Sequence, residues 1–214
     1  MFVIECVQGS DEWMQHRLGK ATASRFKDLL SQPKAVKDRD AGKLSATARS
    51  YMLELVAETL TGESKFFSSA ATQWGTDNED NARDLYEFMT NNTVEQIGMA
   101  TIDEHSQISA SPDGLIGDDG GIEIKCPYNS AVHVDTLLSG EMPKEHIAQV
   151  QGCMWVTGRK WWDFVSYDPR INDSDLCIFI KRIERDEEYI SSLEDKVVSF
   201  VSVVENTLAS LRIK

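Results

Sequence analysis

The sequence predicts a mixed α/β domain, a central mixed β-sheet flanked by helices, in one unit over residues 1–214. Three observations carry that expectation. Apolar residues recur at helical spacing up to about residue 90. The period then shortens to two, most cleanly in "GIEIKC". After Pro143, helix-like and strand-like stretches alternate, and a long amphipathic helix closes the chain. A chain of 214 residues can bury a sizeable core as a single domain.

The elements follow in order. In "GSDEWMQHRLG", Ser10 or Asp11 can cap a short helix that stops near Gly19. "TASRFKDLLS" restarts a helix from Thr22, with Phe26, Leu29 and Leu30 on one face. "QPKAVKDRDAGK" is polar, basic and marked by Pro and Gly, and it reads as a mobile loop. Residues 45–60 form a helix by the spacing of Tyr51 with Leu55, and of Leu53 with Val56 and Leu60. Residues 72–89 form a second long helix, which carries Glu79. "TVEQIGMATID", "SQISAS" and "GIEIKC" read as extended. Pro143 suits a helix first turn, followed by "KEHIAQVQGCMWVT" and a stop at Gly158. "KWWDFVSYD" and "DLCIFIKRI" are strands by their aromatic and β-branched content, and residues 186–211 are the closing helix.

Composition narrows the function classes. Hydrophobic residues make up 41% and charged residues 27%, as in ordinary globular proteins. No apolar run approaches the roughly 18 residues of a membrane span. "MFVIECVQGSDEW" has neither a basic start nor a long apolar stretch, so no secretory signal is expected and the cytoplasm is the expected location. Cys6, Cys126, Cys153 and Cys177 are scattered, which argues against a zinc site or a disulfide framework. His16, His105, His133 and His146 show no ligand spacing and read as ordinary residues. The five tryptophans read as mostly core, with one of them a candidate wedge at a DNA fork. The net charge is −13, yet nine basic and only three acidic residues lie between Arg17 and Arg49. Such a local basic surface can attract a polyanion that the rest of the molecule repels.

The chemistry concentrates in "SPDGLIGDDGGIEIKCP" (residues 111–127). Strand side chains alternate faces, so Glu123 and Lys125 share one face, about 6.5–7 Å apart at Cα. Ile122, Ile124 and Cys126 take the other. "GDDGG" is a hairpin-turn signal. Folding about Asp118–Gly120 brings Asp113 opposite residues 123–125. P-D-G alone is a common turn and E-x-K alone a common strand pair; their joint placement across one hairpin is far more specific. Two carboxylates and an ammonium suit phosphodiester hydrolysis with Mg²⁺, a hard ion that prefers oxygen ligands. Asp113 and Glu123 would bind the metal, with the Ile124 carbonyl as a further ligand and Glu79 as the third carboxylate. Lys125 would hold the attacking water and offset developing charge.

Pro112-Asp113 followed by Glu123-Ile124-Lys125 is the P-D…(D/E)-x-K nuclease signature. "GSDEWMQHRLGKATAS", "WGTDNEDNAR", "SPDGLIGDDGGIEIKCP", "AQVQGCMWVTG" and "YDPR…IERDEEY" resemble, in order, successive blocks of the phage lambda exonuclease family. The blocks cover most of the chain. The resemblance implies a restriction-endonuclease-like PD-(D/E)xK core. It implies digestion of double-stranded DNA from 5′ ends with Mg²⁺ (two ions, Mn²⁺ substituting), release of mononucleotides, and a 3′ tail for a single-strand annealing protein. It implies a ring-shaped homotrimer, encoded by a phage or prophage, with the basic helices of about residues 10–60 against DNA. By the same resemblance Glu79, Asp113, Glu123 and the Ile124 carbonyl bind metal, Lys125 assists the water, and Gln149 is the active-site glutamine. Arg17, Ser24 and Ser111 hold the terminal 5′-phosphate. Arg17 offers a bidentate fork for that group. Two rivals stay open: an endonuclease of the same superfamily, and a DNA-end-binding adaptor that does not cut.

Overall fold

A computed structural model describes residues 1–64 and 69–212. Strand β1 (Phe2–Ile4) leads into helix α1 (Asp11–Arg17), whose N-cap Ser10 accepts a hydrogen bond from the Trp13 N–H. Strand β2 (Ala21–Thr22), a 3₁₀ turn (Ala23–Arg25) and helix α2 (Phe26–Leu30) follow. The helix expected from a Thr22 cap does begin after Thr22, but as two pieces, the 3₁₀ turn and then α2. The segment expected as a loop contains helix α3 (Val36–Asp40). Helices α4 (Ala46–Thr61) and α5 (Ala70–Thr90) begin at serine caps, Ser45 and Ser69.

The middle of the chain supplies β3 (Val94–Glu95), β4 (Met99–Thr101), β5 (Ile108–Ala110), β6 (Gly114–Ile116) and β7 (Gly120–Lys125). Helix α6 (Ser130–Ser139) was not expected; Val132, Val134 and Leu138 stay exposed on it, so its apolar residues trace no buried stripe. Helix α7 (Ile147–Thr157), strands β8 (Trp161–Tyr167) and β9 (Ile178–Glu184), and helix α8 (Glu187–Arg212) complete the order. No helix among the described residues is long and apolar enough to cross a membrane.

The strands form two sheets rather than one. A four-stranded sheet has the order β1-β4-β5-β2, and a five-stranded sheet β3-β6-β7-β8-β9. Strand β7 is central in the second, antiparallel to β6 and parallel to β8. The hairpin turn occupies residues 117–119, one residue earlier than the sequence suggested. Gly117 has φ +51°, a left-handed conformation that glycine adopts without strain. Gly120 and Gly121 belong to β7 instead, where a Cβ would lie 2.1 Å from Trp161 and 2.3 Å from Trp162. They are glycines because the neighbouring strand's indoles lie against them.

Both faces of the five-stranded sheet are covered. Ile122 and Ile124 pack with Ala82 and Tyr86 of α5 in the smaller core. Trp162 and Phe164 belong to the larger core, with Val150 and Met154 of α7 and Leu193, Val197 and Phe200 of α8. Glu123 is therefore not a surface residue on an open strand. It is fully buried, on the face that meets α7.

Candidate active site

The β6–β7 register places Gly114 opposite Ile122, so Asp113 comes level with Glu123. Asp113 Oδ2 accepts the Ile124 N–H at 2.6 Å. The loop ahead of it is fixed by Gln8, whose amide donates to the carbonyls of Ile97 (2.9 Å) and Pro112 (2.8 Å). Glu123 Oε1 accepts from Lys125 Nζ and, at 2.5 Å, from Gln149 Nε2 of α7. Glu123 Oε2 is buried with no partner. From α5, Glu79 Oε1 accepts from Arg83 Nη2 at 2.6 Å. Glu79, Asp113, Glu123, Lys125 and Gln149 thus share one region, as the sequence predicted, and Ile124 contributes its backbone there.

The electrostatics are those of crowded acids. Burial lifts the Glu123 carboxyl to about 8, with Asp113 and Glu79 adding repulsion against the pull of Lys125. Burial and then Asp113 lift Glu79 to about 7, against Arg83 and Lys125. Burial also raises Asp113, opposed by Lys125 and the Ile124 N–H. For Lys125 burial acts downward, but the three carboxylates outweigh it and raise the ammonium's pKa. No three His, Cys, Asp or Glu side chains among the described residues are already gathered as a metal cluster. The carboxylate oxygens are held instead by Arg83, Ile124, Lys125 and Gln149. A hard divalent ion still fits this donor set. The ligands would all be oxygen, the acids repel one another, and Oε2 of Glu123 is a buried acceptor without a donor.

The second group of expected residues also comes together. Arg17 donates to Ser111 Oγ at 3.1 Å and reaches Thr22 Oγ1 at 3.5 Å, and Thr22 Oγ1 lies 3.2 Å from Ser24 Oγ. Arg17, Thr22 and Ser24 line a cavity of about 300 Å³ whose wall includes Trp13, Lys20 and Arg25. A cavity of about 570 Å³ is lined by Glu79, Asp113, Gln8, Gln96 and again Trp13. Trp13 therefore stands between the pocket and the carboxylates. Its Nε1 donates to the Gly98 carbonyl (3.0 Å) and Ser111 Oγ (3.2 Å), and the Arg17 guanidinium stacks 4.3 Å above its ring. Three of the five tryptophans, Trp155, Trp161 and Trp162, belong to or pack against the cores, as expected, while Trp13 and Trp74 do not. Only Trp162 is fully buried; Trp13, Trp74, Trp155 and Trp161 are partly exposed. Trp13, Gln8 and Arg83 were missed as site residues. For Arg83 a signal existed, since it follows Glu79 by one helical turn.

A hairpin that carries Asp113 and a Glu-x-Lys strand, in a mixed sheet between helices, defines the PD-(D/E)xK class of nuclease folds. Residues 12–160 match the YqaJ-like viral recombinase domain, and the chain belongs to that family. The alkaline exonuclease LHK-Exo from Laribacter hongkongensis is 40% identical over 95% of this chain and 96% of that one, with a TM-score of 0.84. LHK-Exo has also been solved in complex with dAMP. A phage related exonuclease from Haemophilus somnus 129PT shares the fold at 21% identity and a TM-score of 0.67, over 90% of this chain and 96% of that one. ExoD of Escherichia coli (strain K12) is 38% identical over 66 residues, which are 31% of this chain and 74% of ExoD.

Proposed function

We propose that the protein is a Mg²⁺-dependent 5′→3′ exonuclease that degrades one strand of linear double-stranded DNA. It would prefer 5′-phosphorylated ends, release mononucleotides and leave 3′ tails for strand annealing. The observation that carries this reading is the pairing of two adjoining sites with complementary chemistry. Arg17, Thr22 and Ser24 line a cationic, hydroxyl-bearing pocket, Ser111 accepts from the Arg17 guanidinium, and Trp13 joins the pocket wall to the cavity of Glu79 and Asp113. A 5′-terminal phosphate seated on Arg17 would place the first phosphodiester toward the carboxylates. Family membership and the likeness to LHK-Exo, an alkaline exonuclease, support the same reading.

Glu79, Asp113, Glu123 and the Ile124 carbonyl would hold the metal. When bound, Mg²⁺ supplies Lewis-acid polarisation of the phosphate and a lowered pKa for a bound water. Lys125 contributes a fixed positive charge and a hydrogen-bond donor for the attacking water. Gln149 holds Glu123 Oε1 in place, which leaves Oε2 for the ligand role. Arg17 orients the strand end and thereby limits attack to the terminal linkage. Mn²⁺ is expected to substitute. A homotrimeric ring and a single-strand annealing partner complete the proposal, as the family resemblance implies.

The test is digestion of linear duplex DNA labelled differently at the two ends of one strand, with a 5′-phosphate or a 5′-hydroxyl, beside closed-circle and EDTA controls. Early release of the 5′ label as a mononucleotide, faster from phosphate ends and absent from circles, is the expected result. Fragments from circles would identify an endonuclease. Binding without cutting would identify an adaptor.

A further inference from the structure

Arg83 is a buried cation that the reaction outlined above does not use. Its side chain is only 8% exposed. A buried guanidinium must be matched by acceptors, because an unpaired one is strongly destabilising. Here Nη2 donates to Glu79 Oε1 at 2.6 Å and Nη1 to Asp80 Oδ1 at 2.5 Å. With the Gln96 amide turned to present its oxygen, that oxygen lies 2.9 and 3.0 Å from Nη1 and Nη2. The two carboxylates differ in kind. Asp80 is 86% exposed, so its pair with Arg83 is screened by water, whereas Glu79 is 34% exposed and faces Asp113.

We propose that Arg83 is the positioning residue for Glu79. It fixes one carboxylate oxygen so that the other is aimed at the divalent ion, and it balances the charge of the acid cluster. The proposal rests on the reading of Glu79 as a metal ligand. The geometry supports it in three ways. Glu79 and Arg83 stand one turn apart on α5, which puts them on one face of the helix. Gln96, just after β3, accepts from both terminal nitrogens of the fork between the two carboxylates, and so holds the guanidinium independently of Glu79. With Asp80 screened by solvent, the three acids Glu79, Asp113 and Glu123 face only two cations, Arg83 and Lys125, which leaves an excess of negative charge for a bound cation. Ligating carboxylates depend on such outer partners, and losing one typically weakens metal affinity about 10–100-fold.

The test is titration calorimetry of the DNA-free protein with Mg²⁺ and with Mn²⁺, on wild type, Arg83→Gln, Arg83→Lys, Glu79→Gln and the Arg83→Gln/Glu79→Gln double variant. Arg83→Gln is expected to weaken the metal Kd about 10–100-fold. Arg83→Lys, which keeps the charge but loses the fork, should fall between. The double variant should be no weaker than Glu79→Gln alone, because Arg83 acts through Glu79. Binding of 5′-phosphorylated duplex ends in EDTA should not change. If Glu79→Gln weakens metal binding while both Arg83 variants match wild type, the role of Arg83 is overturned and the metal site stands. Additive losses in the double variant would also overturn it. If Glu79→Gln itself binds metal like wild type, Glu79 is not a ligand and both assignments fall. Arg83→Lys keeps the test decisive if Arg83→Gln does not fold.

Discussion

At the hairpin, three carboxylates crowd around Lys125, and one oxygen of Glu123 is buried without a donor. Across Trp13, in the pocket, the situation is reversed. Among the described residues the Arg17 guanidinium meets hydroxyls, Ser111 and Thr22, and an indole ring. Glu58 lines the same pocket, but its carboxylate is engaged by the Gly19 N–H and the Ser64 hydroxyl. A buried charge that its own protein leaves half matched points to the sign of what belongs there. The hairpin calls for cations and the pocket for an anion. On the proposed function, one DNA end with its metal would satisfy both, and an acidic chain could then act on a polyanion.

The sharpest way to break this comparison is to remove the charge on each side in turn. Lys125→Ala should lower the rate of phosphodiester cleavage about 10²–10³-fold, the usual scale for deleting one preorganised charge-stabilising donor. Binding of duplex ends should be largely kept. Cleavage within a few-fold of wild type would remove Lys125 from the chemistry. Arg17→Ala should act on the other half. A charge-assisted hydrogen bond contributes about 1.5–3 kcal/mol, so the preference for 5′-phosphate over 5′-hydroxyl ends should fall about 10–100-fold. An equal loss on both kinds of end would show that Arg17 supports the fold and not the phosphate.

The two halves also differ in how far the sequence revealed them. The hairpin is local. Alternation along residues 120–125 and the turn before it fix which side chains share a face, so Asp113, Glu123 and Lys125 could be placed together without any tertiary information. Glu79 and Gln149 come from helices on opposite sides of the sheet; Glu79 could be named only as an acidic residue on a helix able to supply a third carboxylate, and Gln149 was linked to the site by the family resemblance alone. In the pocket, Arg17 and Ser111 are 94 residues apart, and the residue that joins the two sites, Trp13, read as core. Burial of Glu123 was equally hidden. Alternation shows that it faces away from Ile122 and Ile124, but not that α7 covers that face. The separate four-stranded sheet escaped notice because its strands have only two or three residues, too few to show a period.

A smaller effect tests the frame that carries the hairpin. Gly121→Ala puts a methyl group 2.3 Å from the Trp162 ring, which is itself fully buried and cannot yield freely. Overpacking of this kind costs about 1–3 kcal/mol, so the melting temperature should drop clearly in a thermal scan. The same substitution at Gly117 meets no atom within 4 Å and costs only its left-handed backbone preference, so it should be milder. Reversal of that order would mean that β7 and β8 are not packed as described.

The smallest expected effect comes from a buried acid that is fully matched, the control for the unmatched ones. Asp168 has no exposed surface, and both its oxygens accept from Arg170, at 2.8 and 2.9 Å. Arg170 in turn donates to the carbonyls of Pro127 and Tyr128, which ties the chain leaving β7 to the end of β8. Burial alone would raise the Asp168 carboxyl, but the Arg170 and Ser130 hydrogen bonds prevail and lower it from 3.8 to about 2. A depressed folded-state pKa gives stability that is present above the unfolded value and lost as pH falls through the folded one. Asp168→Asn removes that contribution. The melting-temperature gap between wild type and variant should therefore be widest above about pH 4 and should narrow between pH 4 and pH 2. A gap that stays constant or widens toward pH 2 would mean that the carboxylate is not held ionised by Arg170. The contrast with Glu123 would then lose its basis, since a matched and an unmatched buried acid would behave alike.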